Sequence, residues 1–182
     1  VGSAAIEIAK AQKARVIAAV SNPKKMKAAE AFGADQVILN KPAFFKKKIM
    51  TLTNNEGVDA VFDPIGGDVF TESIRCLKPE GRIIPIGFAS GRIPSIPTNL
   101  LLVKNITVCG LNMGLYFGWG PVDHREKYKP TMDRLMNQLF DLYLNGKINP
   151  KVSKTFKLSE ASDAMNLILD QKTIGRISIK FE

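Results

Sequence analysis

Short apolar runs alternate with segments whose apolar residues recur every three to four positions, and the clearest unit of that kind spans residues 58–91. Val58-Asp59-Ala60-Val61-Phe62 is mostly apolar and short, as expected of a buried strand. Asp63-Pro64-Ile65-Gly66-Gly67 then supplies the proline and paired glycines of a tight turn. Phe70, Ile74 and Leu77 follow at i, i+4 and i+7, one face of a helix, which Pro79-Glu80-Gly81 closes. Arg82 to Ile86 predicts a second buried strand ending at Gly87. Strand, helix and strand make the βαβ unit of a parallel sheet. Such sheets bind ligands at the carboxyl ends of their strands, so the glycines past both strands mark either plain turns or a shared ligand crevice.

The same alternation precedes this unit. Ala4 to Ala11 predicts a helix with a small-residue face, Arg15 to Val20 a strand, and Lys24 to Phe32 a helix. Pro23 stands at that helix's first position and Gly33 at its end. Gln36 to Leu39 predicts a strand, and Lys41 to Thr53 a helix with Phe45, Ile49 and Leu52 in register. After Gly91, Ile93 to Pro97 is extended, and Asn99 to Val103 allows one helical turn. Asn105 to Leu111 predicts a β-branched strand, and 112–120 a mobile aromatic loop. Arg125 to Asn145 predicts the longest helix, whose Met132, Leu135, Met136, Leu139, Phe140 and Tyr143 form a stripe expected in the core. The tail predicts a strand at 152–156, a helix capped by Ser159 that carries Ala161, Met165, Ile168 and Leu169, and an edge strand at 176–180.

The expected fold is therefore α/β, a doubly wound parallel (Rossmann) sheet. Its central first strand and most of the glycine loop are missing from the pattern, with Gly2 as the loop's remnant, so the chain is expected to be a fragment. With 182 residues, 45% hydrophobic, there is enough apolar surface for a real core, and no run suits a bilayer span or a signal peptide. An intracellular, soluble protein is expected. Cys76 and Cys109 lie far apart and neither neighbours His124, the single histidine, which excludes a disulfide framework and a Cys/His zinc cluster within the chain.

Net charge is +9, with lysine clusters at 24–27 and 46–48. That charge fits either attraction for nucleic acid or a solvated basic surface that includes a site for an anionic cofactor. No aromatic-basic RNA-binding motif accompanies the lysines, which favours the second. A non-catalytic binding module, RNA-binding through its basic surface, stays as the alternative. One local feature bears on this choice. NAD sites hold the ribose with an acid near the end of the second strand, whereas NADP sites need cations there. Here Val20 leads into Ser21-Asn22-Pro23-Lys24-Lys25, without a carboxylate.

Four ordered motifs carry a resemblance: Val1-Gly2-Ser3-Ala4-Ala5, Gly57-Val58-Asp59 through Gly66-Gly67, Gly81-Arg82 through Gly91, and Leu144 to Ile148 with Gly175-Arg176. The chain resembles the carboxy-terminal half of medium-chain dehydrogenase/reductases, and within them the zeta-crystallin-like quinone oxidoreductases. The resemblance implies NADPH-dependent hydride transfer to quinones or related enones, with a GroES-like catalytic domain ahead of the nucleotide domain. It implies residues 1–154 as the dinucleotide-binding domain and 155–182 as a segment of the catalytic domain. It places Ser21, Lys25 and Asn40 around the adenosine 2′-phosphate, although Asn40 departs from the aromatic residue common there. Gly67, Ile86, Gly87, Cys109, Gly110 and Leu111 would line the ribose-nicotinamide path. It further implies a zinc-free site, a cytoplasmic or mitochondrial setting, and a homodimer pairing strand 105–111 across a two-fold axis. The chain alone is not expected to turn over.

Overall fold

The computed structural model describes residues 1–170 and 172–181, with backbone alone for residues 42 and 43. Along the chain run α1 (Gly2–Ala11), β1 (Ile17–Val20), α2 (Pro23–Ala31), β2 (Gln36–Leu39), α3 (Pro42–Leu52), β3 (Val58–Asp63), α4 (Gly67–Cys76) and β4 (Leu77–Pro85). There follow α5 (Thr98–Lys104), β5 (Thr107–Val108), α6 (Met113–Tyr116), α7 (Arg125–Leu144), β6 (Val152–Lys157), α8 (Ala161–Leu169) and β7 (Arg176–Lys180). The chain forms two compact units, residues 1–37 with 142–182, and residues 38–141. The expected alternation of strands and helices is present, and the sheets whose register is defined are parallel.

In the first unit, β1 lies beside the strand that begins at Gln36. The Asp35 carboxylate accepts both the Val16 amide hydrogen at 2.7 Å and the Lys10 ammonium at 2.8 Å. The Lys10 hydrogen bond, then the Val16 one, hold the Asp35 carboxyl below its ordinary pKa. Pro23 stands at the first position of α2, as expected, because its missing N–H would be unpaired there anyway. Gly33, at φ +98°, ends the helix in the conformation glycine tolerates best. Strands β6 and β7 pair in parallel, with the Thr155 and Ser178 hydroxyls 3.0 Å apart on one face. The domain boundary expected at 154/155 falls inside β6, and residues 171 and 182 of the expected second segment lie outside the described residues.

In the second unit, β3, β4 and β5 form a parallel sheet in that order, with Val61 beside Ile83 and Ile83 beside Val108. The helical period foretold its core: Phe70, Ile74 and Leu77 are buried together with Ile83 and Ile106. Each large apolar side chain removed from water contributes roughly 1.5–3 kcal/mol. Lys104 fastens α5 beneath α4, donating to the carbonyls of Arg75 and Leu77.

Several expectations are corrected. Helix α4 ends at Cys76, and Leu77 already pairs with Val58; Pro79-Glu80-Gly81 is an irregularity within β4, where Glu80 adopts φ +63°. Strand β3 is half exposed, not buried: Asp59, Ala60 and Phe62 face solvent. Helix α5 has seven residues rather than one turn, and β5 only two, because Asn105 in the left-handed region caps α5. The 112–120 segment contains α6. Of the α7 stripe, Met132 is buried, Leu139 is half-buried, and Leu135, Met136, Phe140 and Tyr143 are exposed. Ser159 does not cap α8; it sits in a 3₁₀ turn whose Glu160 carboxylate accepts the Lys157 amide hydrogen at 2.8 Å. In α8, Met165, Ile168 and Leu169 are exposed and Ala164 carries the buried contact. No helix among the described residues is long and apolar enough to cross a membrane.

Candidate functional site

The second unit gathers six of the expected residues at the carboxyl ends of its strands. Past β3, the buried Asp63 turns its carboxylate back on its own chain and accepts the amide hydrogens of Ile65 at 2.8 Å and Gly66 at 3.2 Å. Such a side-chain-to-backbone turn is the chemistry an Asp-Pro-x-Gly sequence favours. Past β4, Ile86 donates its N–H to Asp63 O at 2.8 Å, so the two strand ends leave the sheet side by side. The loop from Phe88 to Arg92 then folds over the glycine turn: Ala89 N–H donates to Pro64 O at 3.1 Å and Ser90 N–H to Ile65 O at 2.9 Å. Arg92 adds an ion pair to Asp68 at 2.6 Å.

This packing separates glycines that the sequence makes look alike. Gly67 lies at φ +54°, and a Cβ there would stand 2.9 Å from Ser90 Oγ, so the protein's own structure requires glycine. Gly87 and Gly110 differ. A Cβ on Gly87 would meet nothing nearer than Pro64 O at 3.8 Å, one on Gly110 would meet nothing within 4 Å, and neither has a positive φ. Both sit within two residues of a strand's end, at β4 and β5. Internal packing gives no reason for either to lack a side chain.

Cys109 donates its N–H to Ile83 O at 2.9 Å, which holds the 109–111 segment beside β4. Its thiol is half-buried, whereas Cys76 is fully buried, with its pKa pushed up to about 11 by burial. Leu111 is exposed. An apolar cleft of about 100 Å³ is lined by Phe70, Pro85, Phe88, Ile93, Ile96 and Val108. Sequence reasoning predicts the turn at 63–67 from its proline and glycines but misses these cleft residues and the Asp63 carboxylate that holds the turn.

In the first unit, Ser21 is exposed at the end of β1 and Asn22 caps α2, its Oδ1 accepting the Lys25 amide hydrogen at 3.1 Å. That cap fixes Lys25 three residues into the helix, half-buried, with Lys24 exposed. Gly2 opens α1, and a Cβ added there would meet nothing within 4 Å. Asn40 follows β2 directly, half-buried, and belongs to the second unit.

Helices joined to parallel strands, with open glycines past two strand ends, define an α/β protein of the dinucleotide-binding type. The profile of the zinc-binding dehydrogenase family matches residues 1–137, and the chain belongs to that family, as the nucleotide-binding half of a medium-chain dehydrogenase/reductase. It is 34% identical over its whole length to quinone oxidoreductase-like protein 2 of Bos taurus, covering 50% of that relative. It is 30% identical to a 2-haloacrylate reductase of a Burkholderia species over 90% of this chain and 47% of the relative. The quinone oxidoreductase of Escherichia coli complexed with NADPH superposes on 98% of the chain and 53% of its own, with a TM-score of 0.81 at 26% identity. The chain thus spans about half the length of the relatives it matches. Among the described residues, no group of three or more His, Cys, Asp or Glu side chains is placed to hold a metal.

Proposed function

We propose that this chain is the NADPH-binding half of an oxidoreductase that passes hydride to a quinone or related enone. Gly87 and Gly110 carry the proposal. Glycine stands at two strand ends where the protein itself has room for a side chain, and a bound dinucleotide is the occupant that sheet geometry favours there. The backbone of Ile86 and Gly87, and of Cys109, Gly110 and Leu111, would face the ribose and nicotinamide, with Gly67 shaping the turn beside them. Ser21 and Lys25 supply a hydroxyl and a cation for a 2′-phosphate, and Asn40 and Gly2 complete the set carried by family likeness. NADPH would supply the hydride, and these residues bind and orient it.

Residues 1–154 as nucleotide domain and 155–182 as part of the catalytic domain belong to the same proposal, as do a zinc-free site, a homodimer through 105–111 and a cytoplasmic or mitochondrial setting. So does the expectation that the chain alone does not turn over. The quinone-type acceptor is supported by the names of the relatives, and the RNA-binding alternative by net charge alone.

Titration of NADPH against the parent chain and the Gly87→Val and Gly110→Val variants tests the reading. Both variants should keep the parent's unfolding midpoint and lose NADPH affinity by more than tenfold. Unchanged affinity in both would contradict it. A salt titration of oligonucleotide binding separates the alternative, which requires a steep salt slope without cofactor affinity.

A further inference from the structure

Helix α2 begins against the usual electrostatic preference. The amino end of a helix carries partial positive charge and favours acidic side chains, yet the first turn of α2 holds Lys24 and Lys25 and no acid. Lys25 is half-buried, whereas Lys24 and Lys27 are exposed. Core packing does not hold this turn in place. Among the described residues of α2 only Ala29 is buried, and it lies beyond the first turn.

The cap holds it instead. Asn22 Oδ1 accepts the Lys25 amide hydrogen at 3.1 Å, and the Asn22 carbonyl oxygen shares the same hydrogen at 3.2 Å. Pro23 prepares this arrangement. A residue before proline is pushed to extended backbone, and Asn22 adopts φ −154° and ψ 162°, the conformation from which a cap side chain reaches the third helical amide. Pro23 also brings no amide hydrogen of its own to compete for the Asn22 oxygen. The carboxamide oxygen is thus engaged by the backbone of Lys25. A lysine stem is flexible, so the reach of its ammonium is set by where its Cα is fixed. Helix ends fray, and a frayed first turn leaves the Lys25 Cα without a fixed place.

We infer, on the NADPH reading above, that Asn22 is a positioning residue for cofactor choice: by holding the Lys25 backbone it holds the ammonium within reach of the 2′-phosphate, and so sets the preference for NADPH over NADH. Asn22 acts through Lys25 and not on the cofactor itself. The two cofactors differ only in the 2′-phosphate. A helix that is merely weakened would bind both less well, whereas a displaced Lys25 weakens NADPH alone.

Titrations of NADPH and NADH, followed by cofactor emission, test this on the parent, Asn22→Ala, Asn22→Ser, Lys25→Ala and the Asn22→Ala/Lys25→Ala double variant. Asn22→Ala should lower the preference for NADPH over NADH by up to about fivefold, the scale of one helix cap. Asn22→Ser, which keeps a capping oxygen, should restore it. In the Lys25→Ala background, Asn22→Ala should leave the preference where Lys25→Ala alone puts it, because residues that act through one contact are not additive. Three results would each overturn the inference while the parent still favours NADPH: an unchanged preference in Asn22→Ala, a Ser variant as poor as the Ala one, or additive losses in the double variant. A parent without preference for NADPH sinks the cofactor reading and the inference together.

Discussion

The Arg92 carbonyl oxygen accepts the Gly67 amide hydrogen at 3.0 Å, so the loop past β4 is latched onto the first turn of α4. The latch acts through backbone, and the Arg92–Asp68 ion pair beside it is mostly exposed. Gly67→Ala should therefore destabilise the fold by about 1–2 kcal/mol, because alanine is strained in the left-handed region. Arg92→Ala should cost less than about 1 kcal/mol, the scale of an exposed ion pair. Urea unfolding of both variants checks this ordering, and a larger loss in Arg92→Ala would reverse the assignment.

Asp63 is the sharper stability test. Its buried carboxylate satisfies the amides of Ile65 and Gly66. Asp63→Ala leaves the buried Gly66 donor without a partner, at about 1–3 kcal/mol, and the part-buried Ile65 donor at less. Asp63→Asn keeps one acceptor oxygen and should recover part of the loss. Equal unfolding midpoints for Ala and Asn would mean that the carboxamide oxygen does not replace the carboxylate.

The two cysteines should differ in reactivity. Burial raises the Cys76 thiol to about 11, so near pH 8 roughly one molecule in a thousand carries the thiolate there. Raising the pH toward 11 should accelerate its labelling, and denaturation should expose it fully. The half-buried Cys109 should label first, and NADPH should slow it if the segment 109–111 faces the cofactor. Mass mapping after a short iodoacetamide pulse decides this; prior labelling at Cys76 would contradict the burial argument.

Strand β5 ends its sheet, with Thr107 exposed on it and Leu102 and Val103 exposed on the helix before it. A free edge of this kind favours pairing with another chain. The chain should sediment as a dimer whose monomer fraction grows on dilution. A monomeric parent at high concentration refutes the pairing.

Legibility in the sequence followed the physics of each signal. Phe70 and Ile74 were readable because a 3.6-residue period has one buried face, and Pro23 and Gly33 because their backbones allow few alternatives. Leu77 was misplaced because Pro79-Glu80-Gly81 carries the composition of a helix end, whereas here Glu80 bends a strand. The α7 stripe at Leu135, Met136 and Phe140 shows the limit of periodicity, which identifies an apolar face and says nothing about what covers it. At the candidate site, Gly67 and Gly87 are the same letter after a strand. Only φ and the space around each distinguish a glycine that packing requires from one that it does not.

Cofactor choice turns on Lys25, held by the Asn22 cap at the third position of α2. The amino end of a helix repels cations, and an anionic partner would offset that. A charge-assisted hydrogen bond to a 2′-phosphate is worth about 1.5–3 kcal/mol, a tenfold to roughly hundredfold preference for NADPH over NADH. Lys24 lies about 100° round the helix and should matter less. The deciding measurement is a fluorescence titration of both cofactors against the parent, Lys25→Ala and Lys24→Ala. The account predicts that the parent prefers NADPH to NADH, a loss of about tenfold or more for NADPH with little change for NADH in Lys25→Ala, and near-parent behaviour in Lys24→Ala. No binding of either cofactor to the parent, or equal losses of both in Lys25→Ala, would contradict it.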